Sequence, residues 1–352
     1  MLYQTTNPHG GDRFGRAVRL DFSVNTNPLG PPPAVVRAVE DAAGRLDQYP
    51  DPACRALVSA LAAHEGVREE QILCGGGAAE LIYGWCAALR PRRALMPAPT
   101  FSEYAAALEA AGCAVERWEL KRSNGFQPWP DLLEHLEYTD YDAIFLCSPN
   151  NPTGQLLDRR FLIQLLGVCR RRGVRVFLDE CFLELSDAGR EAGMAAELEK
   201  NPGLFILRAF TKTYAMAGLR LGYCLTADRE LLEKMSAMVQ PWNVSLPAQK
   251  AGLAALGERD YLDRARALIR TERPFLEAGL EKLGLWTCPS SANYLLFYSE
   301  KPLWEPLLQR GILIRDCANY RGLGPGWYRV AVRRHEENGA LLAALAEIVK
   351  GG

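Results

Sequence analysis

The residue best equipped for covalent chemistry is the lysine in Arg208-Ala209-Phe210-Thr211-Lys212-Thr213-Tyr214-Ala215-Met216-Ala217-Gly218-Leu219-Arg220. A lysine amine can form a Schiff base with an aldehyde. The neighbouring hydroxyl of Thr211 and the guanidinium of Arg220, eight positions on, can hold a phosphate. By itself a Thr-Lys pair is commonplace on a solvated surface, so its meaning depends on what the rest of the chain supplies. Gly75-Gly76-Gly77 opens a helical pattern at Ala78-Ala79, where unpaired backbone N–H groups point along a positive dipole. An ordinary tight turn is the alternative there, and the G-x-G-x-x-G spacing of a dinucleotide site is absent.

Asp179 ends an otherwise apolar strand, where a carboxylate costs several kcal/mol unless it is paired. A protonated pyridine nitrogen is one suitable partner, and a loop hydrogen bond is another. Asn151 lies between two turn signals and can bond a ring hydroxyl. Phe101 follows Pro99-Thr100 and is suited either to stacking on a planar ring or to core packing. Arg315 and Arg329 fall on short apolar strands. Bidentate guanidinium groups there suit carboxylate and phosphate, with an exposed ion pair as the alternative. His9-Gly10-Gly11 sits near the start, in a polar, glycine-rich stretch that is either a structural arm or a segment able to close over a ligand.

Positioning these groups requires strands that end in one crevice. Apolar runs at 71–74, 94–97, 114–118, 143–147, 174–180, 204–207 and 221–225 predict seven strands, several separated by helices. This is an α/β pattern with a largely parallel sheet, whose ligands bind beyond the carboxyl ends of the strands. Gly75 to Gly77, Asn151, Asp179 and Lys212 each follow such an end. From about 226 the pattern is helical to about 283, with breaks near Gln240-Pro241 and Gly257. Strands at 293–297, 312–315 and 328–333, with helices at 302–310 and 336–349, predict a smaller α+β domain.

With 352 residues, 48% hydrophobic and 24% charged, the chain has ample core for one large domain or two smaller ones. A net charge of -1 gives no reason to expect nucleic acid or an anionic membrane surface. The ten cysteines form no C-x-x-C pair and lie mostly within apolar runs. Free thiols in a reducing compartment are expected, rather than disulfides or zinc. With no secretion signal and no apolar stretch of spanning length, the expected location is the cytoplasm.

Asn150-Asn151-Pro152-Thr153-Gly154, Asp179-Glu180 and Thr211-Lys212 with Arg220, in this order, resemble the fold type I pyridoxal-phosphate enzymes, the aspartate aminotransferase superfamily. The resemblance covers essentially the whole chain. It implies pyridoxal 5'-phosphate as cofactor and a large domain at 31–235. It also implies a small domain at 236–352 and an arm at 1–30 that joins the small domain. Lys212 would hold the cofactor covalently, Asp179 would pair with the pyridine nitrogen, Asn151 with the ring hydroxyl, and Phe101 would stack. Gly77, Ala78, Ala79, Thr211 and Arg220 would hold the phosphate. Tyr49 would reach that phosphate from the other subunit of a homodimer with shared active sites.

Within the superfamily the chain is similar to the branch holding histidinol-phosphate aminotransferases and the threonine-phosphate decarboxylases of cobalamin synthesis. The stretches His9 to Gly30 and Ile312 to Arg333 resemble the decarboxylases, and Phe182 stands where the aminotransferases usually carry tyrosine. The resemblance implies a small phosphorylated amino acid, L-threonine O-3-phosphate, as substrate. His9 and Arg315 would bind its phosphate, Arg329 its α-carboxylate, and Asn25 and Asn151 would help position it. Decarboxylation is the implied reaction, transamination the alternative, and cofactor binding without turnover a third reading. Ala78-Ala79 and Ala209 depart from the more polar residues common in relatives, which leaves phosphate binding to backbone donors, Thr211 and Arg220.

Overall fold

Seven apolar runs pair into one sheet in the computed structural model, which describes residues 9–128 and 131–351. The arm contributes β1 (Leu20–Asp21). The sheet comprises β2 (Ile72–Gly75), β3 (Arg93–Ala98), β4 (Ala114–Glu119), β5 (Ala143–Cys147), β6 (Arg175–Asp179), β7 (Leu204–Ala209) and β8 (Gly222–Thr226). Its order is β2-β8-β7-β6-β5-β3-β4. Only β8 runs against its neighbours. Every residue of β5, β7 and β8 is buried, as a sheet covered by helices on both faces requires. Pro97 has no N–H to donate, and the ladder between β3 and β5 stops before it, at Leu95 and Ile144.

Helix Arg159–Arg172 follows the same logic. Asp158 accepts from the N–H groups of Arg160 and Phe161 at 2.9 and 3.1 Å, and Arg170 to Arg172 fill the last turn, where cations complement the dipole. One helix, Asp131–Tyr138, was not anticipated from the sequence. It buries only Leu132 and Leu136, one turn apart, too short a stripe to stand out. All ten cysteines are free and buried.

The second sheet uses β9 (Trp286–Thr287), β10 (Tyr294–Tyr298), β12 (Arg315–Asp316) and β13 (Trp327–Ala331), in the order β12-β13-β10-β9. The strand expected over 312–315 divides. Its first part, β11 (Ile312–Leu313), pairs in parallel with β1, and the second joins β13. Helices Tyr261–Lys282 and His335–Lys350 close a core of Leu276, Leu280, Phe297, Leu341 and Leu345. From β1 the arm crosses to the large sheet. Phe22 accepts from the Ala331 N–H at 2.9 Å, and the Asn27 N–H donates to the Lys212 carbonyl at 3.0 Å. Residues 1–8 of the expected arm lie outside the described residues.

Behind the ends of β6 and β7 lies a buried ion cluster. Arg208 donates from Nη1 to Glu65 at 2.9 Å and from Nη2 to Glu180 at 2.7 Å. Glu180 also accepts from the Met194 N–H at 2.9 Å, and Glu65 from the Tyr223 hydroxyl at 2.5 Å. Removing one partner strands the others in a low-dielectric interior. Arg208→Ala is therefore expected to cost about 3–5 kcal/mol in denaturant unfolding, whereas Arg229→Ala, in an exposed pair with Glu233, should cost less than about 1 kcal/mol.

Candidate active site

The C-terminal ends of the strands and the small sheet enclose a cavity of about 230 Å³. Lys212 sits on the short helix Phe210–Thr213 directly after β7. Its amine lies 3.5 Å from Asn25 Oδ1 and 5.7 Å from the centre of the Phe182 ring, which offers no hydroxyl. Burial, aided by the Arg329 and Arg220 charges, lowers its pKa to about 8. A lysine in this state supplies the neutral amine that attack on an aldehyde needs.

Asp179 closes β6 with its side chain inside the protein. The Tyr104 hydroxyl donates to Oδ2 at 2.5 Å and the Cys181 N–H to Oδ1 at 2.8 Å. Burial still holds its pKa above the ordinary carboxylate value, against those hydrogen bonds and the Lys212 charge. Among the described residues no cation forms an ion pair with it. A ligand carrying a protonated ring nitrogen would supply the missing positive partner.

The three-glycine turn has a specific reason for its third residue. Gly77 adopts φ +93°, and a Cβ there would lie 2.6 Å from Arg220 Nη2. The Arg220 guanidinium therefore packs against the start of helix Ala78–Leu89, which has no side-chain cap. Ala78, Ala79, Thr211 and Arg220 all line the cavity, so backbone donors, a hydroxyl and a cation converge as a phosphate requires. Phe101 also lines the cavity, held edge-on by Tyr104 at 5.5 Å between ring centres.

The small sheet supplies the second half. Arg315 and Arg329 are directly opposite each other on β12 and β13. Arg329 donates from Nη1 to Asn151 Oδ1 and from Nη2 to the Ser23 carbonyl, the latter at 2.8 Å, while its Nε is buried without a partner. Asn25 Nδ2 is likewise buried and unpaired. Arg315 donates to Asn319 Oδ1 at 2.7 Å and lies over the Tyr320 ring at 5.2 Å. His9 also faces the cavity, with Nε2 2.8 Å from Glu103 Oε1. The His9 contact pushes the Glu103 carboxyl below its ordinary range.

All but one of the site residues expected from the sequence thus gather at this cavity or its phosphate turn. The exception is Tyr49, which is 78% exposed and stacks on Trp242 at 4.4 Å, away from this chain's own cavity. Sequence reasoning missed Tyr104, Tyr320 and Glu103. Tyr104 was within reach, being one helical turn beyond Phe101.

Known proteins share this architecture. The signature of the family described as aminotransferase class I and II matches residues 18–345. Threonine-phosphate decarboxylase of Salmonella typhimurium is 40% identical over 94% of this chain and 92% of its own. Histidinol-phosphate aminotransferase of an Anaeromyxobacter species is 36% identical over 96% of this chain and 92% of its own. The crystal structure of histidinol-phosphate aminotransferase from Clostridium acetobutylicum superposes with a TM-score of 0.88 at 28% identity, covering 95% of this chain and 100% of that one.

The amine of Lys212 has a measurable consequence. Its combination with added pyridoxal phosphate, followed by visible absorbance, should accelerate with rising pH, reach half its maximum near pH 8 and level off above it. An unperturbed lysine would keep accelerating to about pH 10.4.

Proposed function

This chain belongs to the aminotransferase class I and II family, and we propose that it decarboxylates L-threonine O-3-phosphate to (R)-1-amino-2-propanol O-2-phosphate. Such a product would serve cobalamin side-chain synthesis. Pyridoxal 5'-phosphate fits the cavity's donors, with Lys212 as its covalent anchor and Thr211, Arg220 and the N–H groups of Ala78 and Ala79 at its phosphate. The Gly77 N–H donates to the Gly75 carbonyl at 2.7 Å, and Gly77 serves by leaving room for Arg220. The exposed Tyr49 would complete the phosphate site of a second copy, in a cytoplasmic homodimer with shared sites.

The observation that carries the substrate class is the pair Arg315 and Arg329, opposite each other on neighbouring strands and facing a cavity whose only carboxylate among the described lining residues is Asp179. Two guanidinium groups beyond the cofactor's own Arg220 call for a ligand with two anionic groups. Arg329, with its unpaired Nε, suits the α-carboxylate. Arg315 with His9 suits the phosphate, and the unpaired Asn25 amide suits a substrate oxygen.

Bound there, the cofactor supplies a sink for the electron pair left on Cα when carbon dioxide departs. Asp179 would pair with the ring nitrogen and so favour the protonated form that makes the sink effective. The Lys212 amine, neutral or protonated near its lowered pKa, is the group suited to returning a proton to Cα. Phe182, with no hydroxyl beside Lys212, favours the decarboxylase over the aminotransferase reading.

The test is release of carbon dioxide from O-phosphothreonine with no keto acid present. The wild type is expected to release it, and Lys212→Ala should lose at least about 1,000-fold in kcat with the fold intact. Turnover only of histidinol phosphate with 2-oxoglutarate would replace this reading with the aminotransferase. Visible cofactor absorbance without turnover of either would point to a binding protein.

A further inference from the structure

Resting on the assignment of Arg315 and Arg329 to the substrate, we propose that Arg122 and Phe126 are positioning residues that clamp the small sheet at the distance those arginines need. Both lie on the turn that follows β4, and the turn is tied to the cofactor side. The Leu120 N–H donates to the Ala98 carbonyl at 2.7 Å, three residues before Phe101.

The register of the small sheet makes the case. Trp286, Tyr298 and Trp327 are directly opposite one another across β9, β10 and β13, so their side chains form one row on one face. The next row on that face, two residues along, is Leu296, Arg329 and Arg315. Arg122 fills the aromatic row. Its Cζ is 4.4 Å from the centre of Trp286, 5.3 Å from Tyr298 and 5.7 Å from Trp327. Among the described residues no carboxylate pairs with it, so three ring faces meet its charge.

Phe126 supplies the second grip. It is 2% exposed and held at φ 59°, a left-handed conformation that a bulky residue adopts only when its surroundings impose it. Its ring meets Trp327 edge-on at 5.5 Å and joins Leu296, Cys317 and Tyr320 in one cluster. Tyr320 in turn lies under Arg315 and donates to Asn151 Oδ1 at 3.3 Å. A continuous set of contacts therefore runs from the loop to both arginines and to Asn151, without touching the phosphate turn or Lys212.

The experiment uses holoenzyme carrying Arg122→Ala, Arg122→Lys or, as a control on the adjacent strand, Arg117→Ala. Arg122 is exposed, so its loss should leave the fold intact. For Arg122→Ala the KM for O-phosphothreonine should rise about fivefold, the size of a cation–π contact at an exposed site. Cofactor affinity and kcat should stay within about threefold, because neither Lys212 nor the phosphate turn is touched. Arg122→Lys should recover part of the loss and Arg117→Ala should match the wild type. Binding is also read without turnover, from the rise in Tm that O-phosphothreonine produces, which should shrink in Arg122→Ala.

An unchanged KM and Tm shift in Arg122→Ala overturns the clamp, as does an equal loss of cofactor affinity. If the wild type binds histidinol phosphate instead, the functional reading fails. The same KM pattern with that ligand would still support the clamp, and its absence would overturn it. Failure of the wild type to bind either ligand overturns both.

Discussion

The guanidinium of Arg208 is the charge from which the cavity is built. It stands on β7 in the buried interior, where the carboxylates of Glu65 and Glu180 accept its hydrogen bonds. Glu180 directly follows Asp179, and Arg208 precedes Lys212 by four residues. The pairing that neutralises the core therefore also ties together the two strand ends from which the reactive carboxylate and amine emerge. The Glu180 N–H donates to the Leu207 carbonyl at 2.9 Å, which continues the β6–β7 ladder up to that point.

Above that floor the site sorts its charges. Lys212, Arg220, Arg315 and Arg329 face a cavity with one acidic lining residue, Asp179, among those described. This excess attracts anionic ligands, and through Arg329 and Arg220 it also lowers the Lys212 pKa. The arginines serve separate ends. Arg220 packs against Gly77 at the start of helix Ala78–Leu89, whereas Arg329 and Arg315 stand on the small sheet. On the proposed assignment, cofactor and substrate anions would be kept apart, with the space between them set by how the two sheets meet. Asn151, on the large-domain side, touches Arg329 and Tyr320 and so senses that spacing directly.

Much of the large sheet could be read from the chain because its strands are uninterrupted apolar runs followed by unusual residues. Gly77, Asn151, Asp179 and Lys212 each follow such a run, and although each has a local structural use as well, four of them at strand ends of one sheet pointed to one crevice. Arg329 between Tyr328 and Val330 carried a similar signal. What stayed hidden depends on contacts between distant segments. Tyr104 looks like any core aromatic until β6 brings Asp179 to its hydroxyl, and Tyr320 gains its meaning only from the approach of Asn151. The change of partners around Ile314 was equally silent, because four apolar or amphipathic residues in a row fit one strand as well as two. Tyr49 carries no signal within one chain, where it is exposed and stacked on Trp242, and its proposed place in a second copy's site rests on the family resemblance alone.

A crystal structure of the holoenzyme with O-phosphothreonine bound tests the central claim, the division of labour between the two small-sheet arginines, most directly. The account predicts the α-carboxylate on Arg329, engaging the presently unpaired Nε, and the phosphate on Arg315 beside His9. A substrate phosphate found on Arg329, or on Arg220 in place of the cofactor's own, would contradict it.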